Sequence, residues 1–489
     1  MEKSSFRKSI YFLVTVLLIA VCLLIFWSSY SKSKSLRNKT MSDISSSEKQ
    51  SESVLKISLS DKVKKLPLYG FNGNNIKGPS WANKSFRDSA SSLQLKIIRY
   101  PGGTNANWWD WQKGWFANDA DLPQEFKNIP YSPTGLKELK LLVDETECDI
   151  VFVLNMVTKD LTDQIQMLKY AQSLGIPIKW IELGNEFYLQ NSIGLRKYKT
   201  VKGYAQACYE WINNIKSVFP KVKIAVIGGN REYSNDVKNW NKQVLQYAPN
   251  ADAIIAHVYA KFFKVTDENG INFQNLSEEF RKQYESIGFP FIDKKIPIWI
   301  TEYNIQWVAG KPNEENKKLK EFAFSWGQAL ATLLMTSLAT NFSDKVEMIL
   351  DHNISNTSVF AAIETGKRTF QKLPNGIGMG SWLSASNHMD SLTKINFFNN
   401  NNPLNDYELL GWKFYNREKS SFIFVNFINT RVKVNISPVI NGNASFETKY
   451  AEKNAVINSA TDVKYKNGVI NNSVIELPPY SVTIIKTSR

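Results

Sequence analysis

Two glutamates sit where they could do chemistry. Glu186 follows the run Trp180-Ile181-Glu182-Leu183-Gly184-Asn185, and Glu302 follows Ile298-Trp299-Ile300-Thr301. Two carboxyl groups brought to one cleft can cleave a glycosidic bond. One protonates the leaving oxygen, and the other, ionised and about 5–5.5 Å away, attacks the anomeric carbon. The neighbours fit those roles. Arg99 and Tyr259 can donate to Glu302 and keep it ionised. Asn185 is placed to bond a sugar 2-hydroxyl, and His257 to support the carboxylates or the substrate. Asn155 and His352 also end apolar runs, where they can line a site or simply satisfy loops. Glu182 reads as the partner of an arginine rather than a catalyst. A single glutamate is ordinarily a surface or ion-paired residue; these two gain meaning because both terminate candidate strands among fitting partners.

Other chemistries find little support. The 489 residues contain three histidines (257, 352 and 388) and three cysteines. No Cys-x-x-Cys pair is present, which argues against a zinc site or a disulfide scaffold. His388 lies near a domain junction and reads as structural, as do Cys148 and Cys208. Neither a phosphate-binding P-loop nor a dinucleotide fingerprint is found, so no cofactor is expected. Aromatic residues are abundant, with 14 Trp, 20 Tyr and 28 Phe. Trp108 and Trp109, followed by Trp111 and Trp115, crowd one loop. They can stack on sugar faces or pack that loop onto the body of the protein.

These residues need elements to hold them. From about residue 66, eight short apolar runs alternate with amphipathic helical patterns: Leu66–Phe71, Leu95–Tyr100, Ile150–Leu154, Ile178–Leu183, Val222–Ile227, Ala253–Tyr259, Ile296–Tyr303 and Val346–Leu350. Near-continuous β-branched runs suit parallel strands buried on both faces. Eight such units predict a (β/α)8 TIM barrel spanning 54–390, with functional residues at the C-terminal strand ends. A doubly wound open sheet is the competing fold, but it more often shows a phosphate-binding glycine turn. After residue 390 the helical period disappears. Phe422–Phe427, Val432–Ile436, Ala444–Tyr450 and Val482–Ile485 predict an all-β sandwich over 391–489. Val54–Leu59 can add a strand to either part.

Here the sequence resembles a known group. Gly184-Asn185-Glu186 on the fourth strand and Glu302 on the seventh resemble the retaining clan A glycoside hydrolases, as do Arg99 on the second strand and Tyr259 after the sixth. Arg99-Tyr100-Pro101-Gly102-Gly103 is similar to the α-L-arabinofuranosidases and, more loosely, to the heparanase-like β-glucuronidases. The resemblance implies an acid/base role for Glu186, a nucleophilic role for Glu302, and a C-terminal β-sandwich closed by a strand like Leu477-Pro478-Pro479-Tyr480-Ser481-Val482. Where that clan often carries a tryptophan after strand eight, this sequence has Asp351-His352-Asn353.

The N-terminus predicts an address. A basic flank at 1–9 precedes an uncharged stretch, Ile10–Trp27, in a segment spanning 10–28 that is long enough for a signal anchor, with signal-peptide cleavage and secretion as the alternative. Residues 29–53, rich in Ser and Lys, read as a flexible linker. An exported domain tethered at the membrane is therefore expected. The formal net charge is +15, and residues 1–53 carry 8 Lys+Arg against 4 Asp+Glu, so +11 belongs to the rest. That balance suits an acidic polysaccharide, although a solvated basic surface needs no partner; no nucleic-acid-recognition pattern is present. The sequence thus predicts a retaining glycoside hydrolase. A surface-tethered glycan-binding protein and a transglycosylase are alternatives on the same scaffold.

Overall fold

A computed structural model of the 489-residue chain describes residues 54–73, 78–117, 121–189, 192–229, 237–287, 296–306, 321–355, 361–367, 369–440, 444–470 and 473–487. The predicted anchor and linker lie outside them. Among the described residues, no helix is long and apolar enough to cross a membrane.

A leading strand, β1 (Lys56–Lys65), is followed by eight parallel strands that close into a barrel: β2 (Leu68–Asn72), β3 (Ile97–Tyr100), β4 (Asp149–Leu154), β5 (Trp180–Leu183), β6 (Lys223–Ile227), β7 (Ala253–Lys261), β8 (Ile298–Gln306) and β9 (Val346–Asp351). Closure comes from β9 pairing with β2, with Met348 opposite Leu68 and Asp351 opposite Phe71. Each predicted run supplies one strand, because a strand covered inside and outside has no polar face to alternate with.

After each barrel strand comes a helix: α1 (Lys84–Ser91), α2 (Leu136–Thr146), α3 (Leu161–Ser173), α4 (Val201–Val218), α5 (Val237–Tyr247), α6 (Phe273–Ser286), α7 (Trp326–Phe342) and α8 (Pro374–Ser386). Side-chain caps start several of them. Asn83, Asp160, Thr200 and Asn272 each accept from a backbone N–H three residues on, at 2.8–3.0 Å. The apolar stripe Tyr204, Cys208, Trp211, Ile212 and Ile215 of α4 is buried, which makes Cys208 a core residue; Cys148 is buried and also free.

The antiparallel part is one large sheet, in the order β1, β10 (Ser391–Asn399), β11 (Leu409–Tyr415), β12 (Ser420–Asn426), β17 (Ser481–Thr487), β14 (Ala444–Tyr450), β15 (Lys464–Ile470). A two-stranded ladder, β13 (Val432–Asn435) with β16 (Val474–Leu477), completes the sandwich. The segment beginning near Val54 thus goes to the sandwich: Lys56 pairs with Phe398 and Lys65 with Ser391. Alternation along β12 explains its unbroken apolar run. Phe422 and Phe424 enter the sandwich core, whereas Ile423 and Val425 join the barrel core. Trp382 of α8 meets the rings of Trp412 and Phe414 edge-on, and Trp412 Nε1 donates to Ser337 Oγ of α7 at 2.8 Å. Helix α7 is buried on almost every side, as a helix sandwiched between two layers must be.

Candidate active site

The site forms where the C-terminal ends of β2, β3, β5, β7, β8 and β9 converge. Arg99, the penultimate residue of β3, is fully buried. Its Nε donates to Glu182 Oε2 at 2.8 Å, Nη1 to Glu302 Oε1 at 2.6 Å, and Nη2 to Asn185 Oδ1 at 2.8 Å. Glu182, on β5, is therefore the buried counter-ion of Arg99. The fork geometry of a guanidinium lets one side chain hold three groups in fixed relation, which an ammonium would not.

Glu302 reaches the site through a local irregularity. On β8, Ile300 pairs with Ala256 but Glu302 pairs with His257, so Thr301 and Glu302 together oppose one residue of β7. Such a bulge re-aims the side chain that follows it. Glu302 Oε1 accepts from Arg99 and from Asn72 Nδ2 at 3.1 Å. Oε2 accepts from the Tyr259 hydroxyl at 2.6 Å. Burial alone would raise the Glu302 pKa, but His257, Arg99 and the Tyr259 hydrogen bond hold it well below the usual carboxylate range, at about 2. Burial beside Glu302 and Glu186 raises the Tyr259 phenol well above its ordinary value, so it remains a donor.

Glu186 lies beyond the end of β5 on a tight turn. Gly184 has φ +83° and Glu186 itself has φ +51°, a left-handed backbone that a non-glycine residue adopts only when its surroundings enforce it. A Cβ at Gly184 would meet the Phe187 ring at 2.5 Å, so the turn requires glycine. Glu186 Oε1 receives the Tyr188 hydroxyl at 3.0 Å and faces His257 Nδ1 at 2.9 Å. Burial pulls His257 down, but the charges of Glu302 and Glu186 outweigh it and leave its pKa raised. Its Nδ1 also lies 3.8 Å from Glu302 Oε2; flanked by two carboxylates, that nitrogen carries a proton.

His352 is different. Its Nδ1 stands 2.8 Å from Asn72 Nδ2, an atom that can only donate, so Nδ1 accepts. Burial lowers its pKa, and Nδ1 lies 3.5 Å from Glu302 Oε2. Asn304 Nδ2 fixes the end of β9 by donating to the His352 carbonyl at 2.6 Å.

The structure therefore brings together Arg99, Asn185, Glu186, His257, Tyr259, Glu302 and His352. Asn155 is a correction: its side chain is spent on Trp109 O, Thr158 Oγ1 and two backbone N–H groups of its own turn, so it staples loops. For the tryptophan loop the packing alternative holds. Trp108 and Trp109 are buried; Trp109 Nε1 donates to the Tyr100 hydroxyl, its ring meets Phe116 edge-on, and Trp108 meets Phe126 edge-on. Two site residues were missed from sequence. Asn72 falls just past the apolar run that marks its strand, and Tyr188 lies two residues beyond Glu186, where strand parity no longer applies. A polar residue ending the first strand was the available signal for Asn72.

Ligating atoms of Glu186, His257 and Glu302 lie within 4.8 Å of one another. That spacing can be read as a cation site. Against it, Arg99 places a guanidinium on Glu302, and Asn72 and Tyr259 take further lone pairs. The same spacing brings an oxygen of each glutamate to one small cleft, where two acids can act on one bond.

A closed parallel barrel with paired carboxylates at its C-terminal mouth and an antiparallel sheet beside it defines the architecture. No family model matches the chain. An intracellular exo-α-(1→5)-L-arabinofuranosidase of Acetivibrio thermocellus is 24% identical over 209 residues, covering 38% of this chain and 41% of that protein; the match spans less than half the length of that curated relative. Among solved structures, a family 51 α-L-arabinofuranosidase from Thermotoga petrophila superposes with a TM-score of 0.65 at 17% identity, covering 89% of this chain and 100% of its own. A family 51 α-L-arabinofuranosidase from Bifidobacterium longum gives 0.66 at 15%, covering 89% and 99%. A 4-O-α-L-rhamnosyl-β-D-glucuronidase from Fusarium oxysporum gives 0.58 at 12%, covering 89% and 100%. The chain thus resembles the arabinofuranosidases of clan A, and at these identities the structural likeness is one of fold.

Proposed function

We propose that this protein is a retaining glycoside hydrolase acting on α-L-arabinofuranosides. The observation that carries the reading is the carboxylate pair. Glu302 is held ionised by Arg99, Asn72 and Tyr259, and an oxygen of Glu186 lies within 4.8 Å of one of its own. Glu302 Oε1 accepts from two nitrogen donors and Oε2 from the Tyr259 hydroxyl, which makes Oε2 the freer oxygen to attack. It bonds to the anomeric carbon while the bond to the leaving oxygen breaks and Glu186 gives that oxygen its proton. Glu186 then takes a proton from water, whose oxygen displaces Glu302 and releases the sugar. His257, facing both glutamates, stands beside whichever of them is ionised in each step. Asn185, fixed by Arg99, is the candidate contact for the sugar 2-hydroxyl.

The sugar class rests on the names of the arabinofuranosidase relatives; the rhamnosyl-glucuronidase neighbour and the basic surface support uronic-acid polymers as the second class to try. Product release from a panel of aryl glycosides and polysaccharides tests the reading. Wild-type protein should release arabinose, and Glu302→Gln should lose turnover by about a thousandfold or more, since the nucleophile is gone. Substantial residual turnover would sink the assignment of Glu302. Binding without release by wild type would favour a glycan-binding protein.

The exported, membrane-tethered placement remains part of the proposal on the strength of Ile10–Trp27 alone. Cell fractionation of the full chain, with protease added to intact cells, checks it; a soluble, protease-protected protein would remove it.

A further inference from the structure

Oε1 of Glu186 faces two groups, and the second is not accounted for by the carboxylate pair. We infer that Tyr188 is a positioning residue that, together with His257, assigns the catalytic proton to Oε2 of Glu186. This inference rests on the hydrolase reading above.

The argument begins with backbone geometry. Because Glu186 is left-handed, its side chain folds back over the turn, and the hydroxyl of the residue two further on comes within 3.0 Å of Oε1. The ring that carries this hydroxyl does not wander. Tyr188 is 5% exposed and meets the Trp240 ring edge-on at 6.2 Å. Trp240 is itself fixed, with Nε1 on the Ile227 carbonyl at 3.0 Å and its ring stacked on Tyr204. The hydroxyl is thus held from behind by a wall of buried rings between β6 and α5.

Two donors on one oxygen have a chemical consequence. A carboxylate oxygen that accepts from Tyr188 O–H and His257 Nδ1–H has both in-plane lone pairs engaged, so a proton cannot also sit there. The acidic proton is therefore directed to Oε2, and the tyrosine favours the ionised form that must act as base in the second step. Other charged and titratable groups facing Glu186 are Glu302 on β8, Tyr259 on β7, Arg99 on β3 and His352 at the end of β9. All of these remain in a Tyr188 variant, so the variant removes the tyrosine hydroxyl from Glu186 and leaves the other groups in place.

The test is the pH profile of kcat/KM for wild type and Tyr188→Phe on an aryl glycoside with a poor leaving group. Loss of a donor to the carboxylate should move the basic limb to higher pH by about one to two units, the size expected of one charge-assisted hydrogen bond. A ring-fluorinated tyrosine at 188, a stronger donor, should move it the other way. A purely structural role would lower the whole curve without moving its limbs, and unmoved limbs overturn the inference. ¹³C-detected titration of the Glu186 carboxyl in the same variants reads the contact without any substrate. Absence of wild-type turnover therefore counts against the hydrolase reading, and an unshifted titration counts against Tyr188.

Discussion

Arg99 joins four groups through one guanidinium, and its position explains why the site is both charged and buried. Glu182 neutralises it from below, Glu302 and Asn185 take its other nitrogens, and Asn72 lies 3.4 Å from Nη1. Removing either member of such a buried pair leaves an uncompensated charge, which is far costlier than the pair's net worth. The titrating groups around it tie stability to pH in two directions. Glu302 has a depressed pKa, so the stability it contributes is complete above its unfolded value, about 4.3, and is lost as pH falls through the folded value of about 2. His257 has a raised pKa, so its contribution is complete below about 6.5 and is lost as pH rises through its folded value. Thermal midpoints should therefore be highest between roughly pH 4.5 and 6.5. The alkaline decline should flatten in His257→Gln and the acid decline in Glu302→Gln. A decline that persists unchanged in both variants would show that other groups control it. At this scale most of the site was legible, because Arg99, Glu186, His257, Tyr259 and Glu302 have types that match roles. Tyr188 was not, since its contact depends on a left-handed residue that no local pattern announces.

At the scale of elements, strand ends do the positioning. The eight barrel strands could be read from sequence because continuous apolar runs of strand length, separated by capped helices, leave few alternatives. The bulge at Thr301 could not, although it turns Glu302 toward His257. The tryptophan loop marks the same limit: its composition is compatible with a sugar platform or with a packed plug, and only burial separates the two. Trp109 hydrogen-bonds Tyr100, which in turn donates to Thr134 O at 2.7 Å, so the ring anchors the loop that carries Asn107 to the Asn185 carbonyl. Trp109→Ala should cost about 3–5 kcal/mol of stability, as large buried aromatic truncations do, measured by denaturant unfolding. KM of the surviving folded protein should change little. A raised KM with unchanged stability would restore the stacking role.

For the whole molecule, the sheet is part of the barrel's cover. Its inner face shares a core with α7 and α8, and β1, which precedes the barrel in sequence, pairs in the sheet and bonds back to the barrel through Lys64 Nζ on Thr340 O at 3.0 Å. That pairing spans more than three hundred residues and has no local signature, which is why the sequence left β1 unassigned. Residues Val54–Arg489 form one compact unit. Calorimetry of the protein should therefore show barrel and sheet melting in a single transition. Two well-separated transitions would mean that the shared core contributes little.

The claim on which the rest depends is that Glu302 attacks the sugar directly. Proton NMR of the first product formed, recorded before mutarotation, tests it most directly. The account predicts that the released sugar carries the same anomeric configuration as the substrate, because two displacements restore it. An inverted product would mean that water, not Glu302, meets the anomeric carbon, and would contradict the mechanism proposed for this pair.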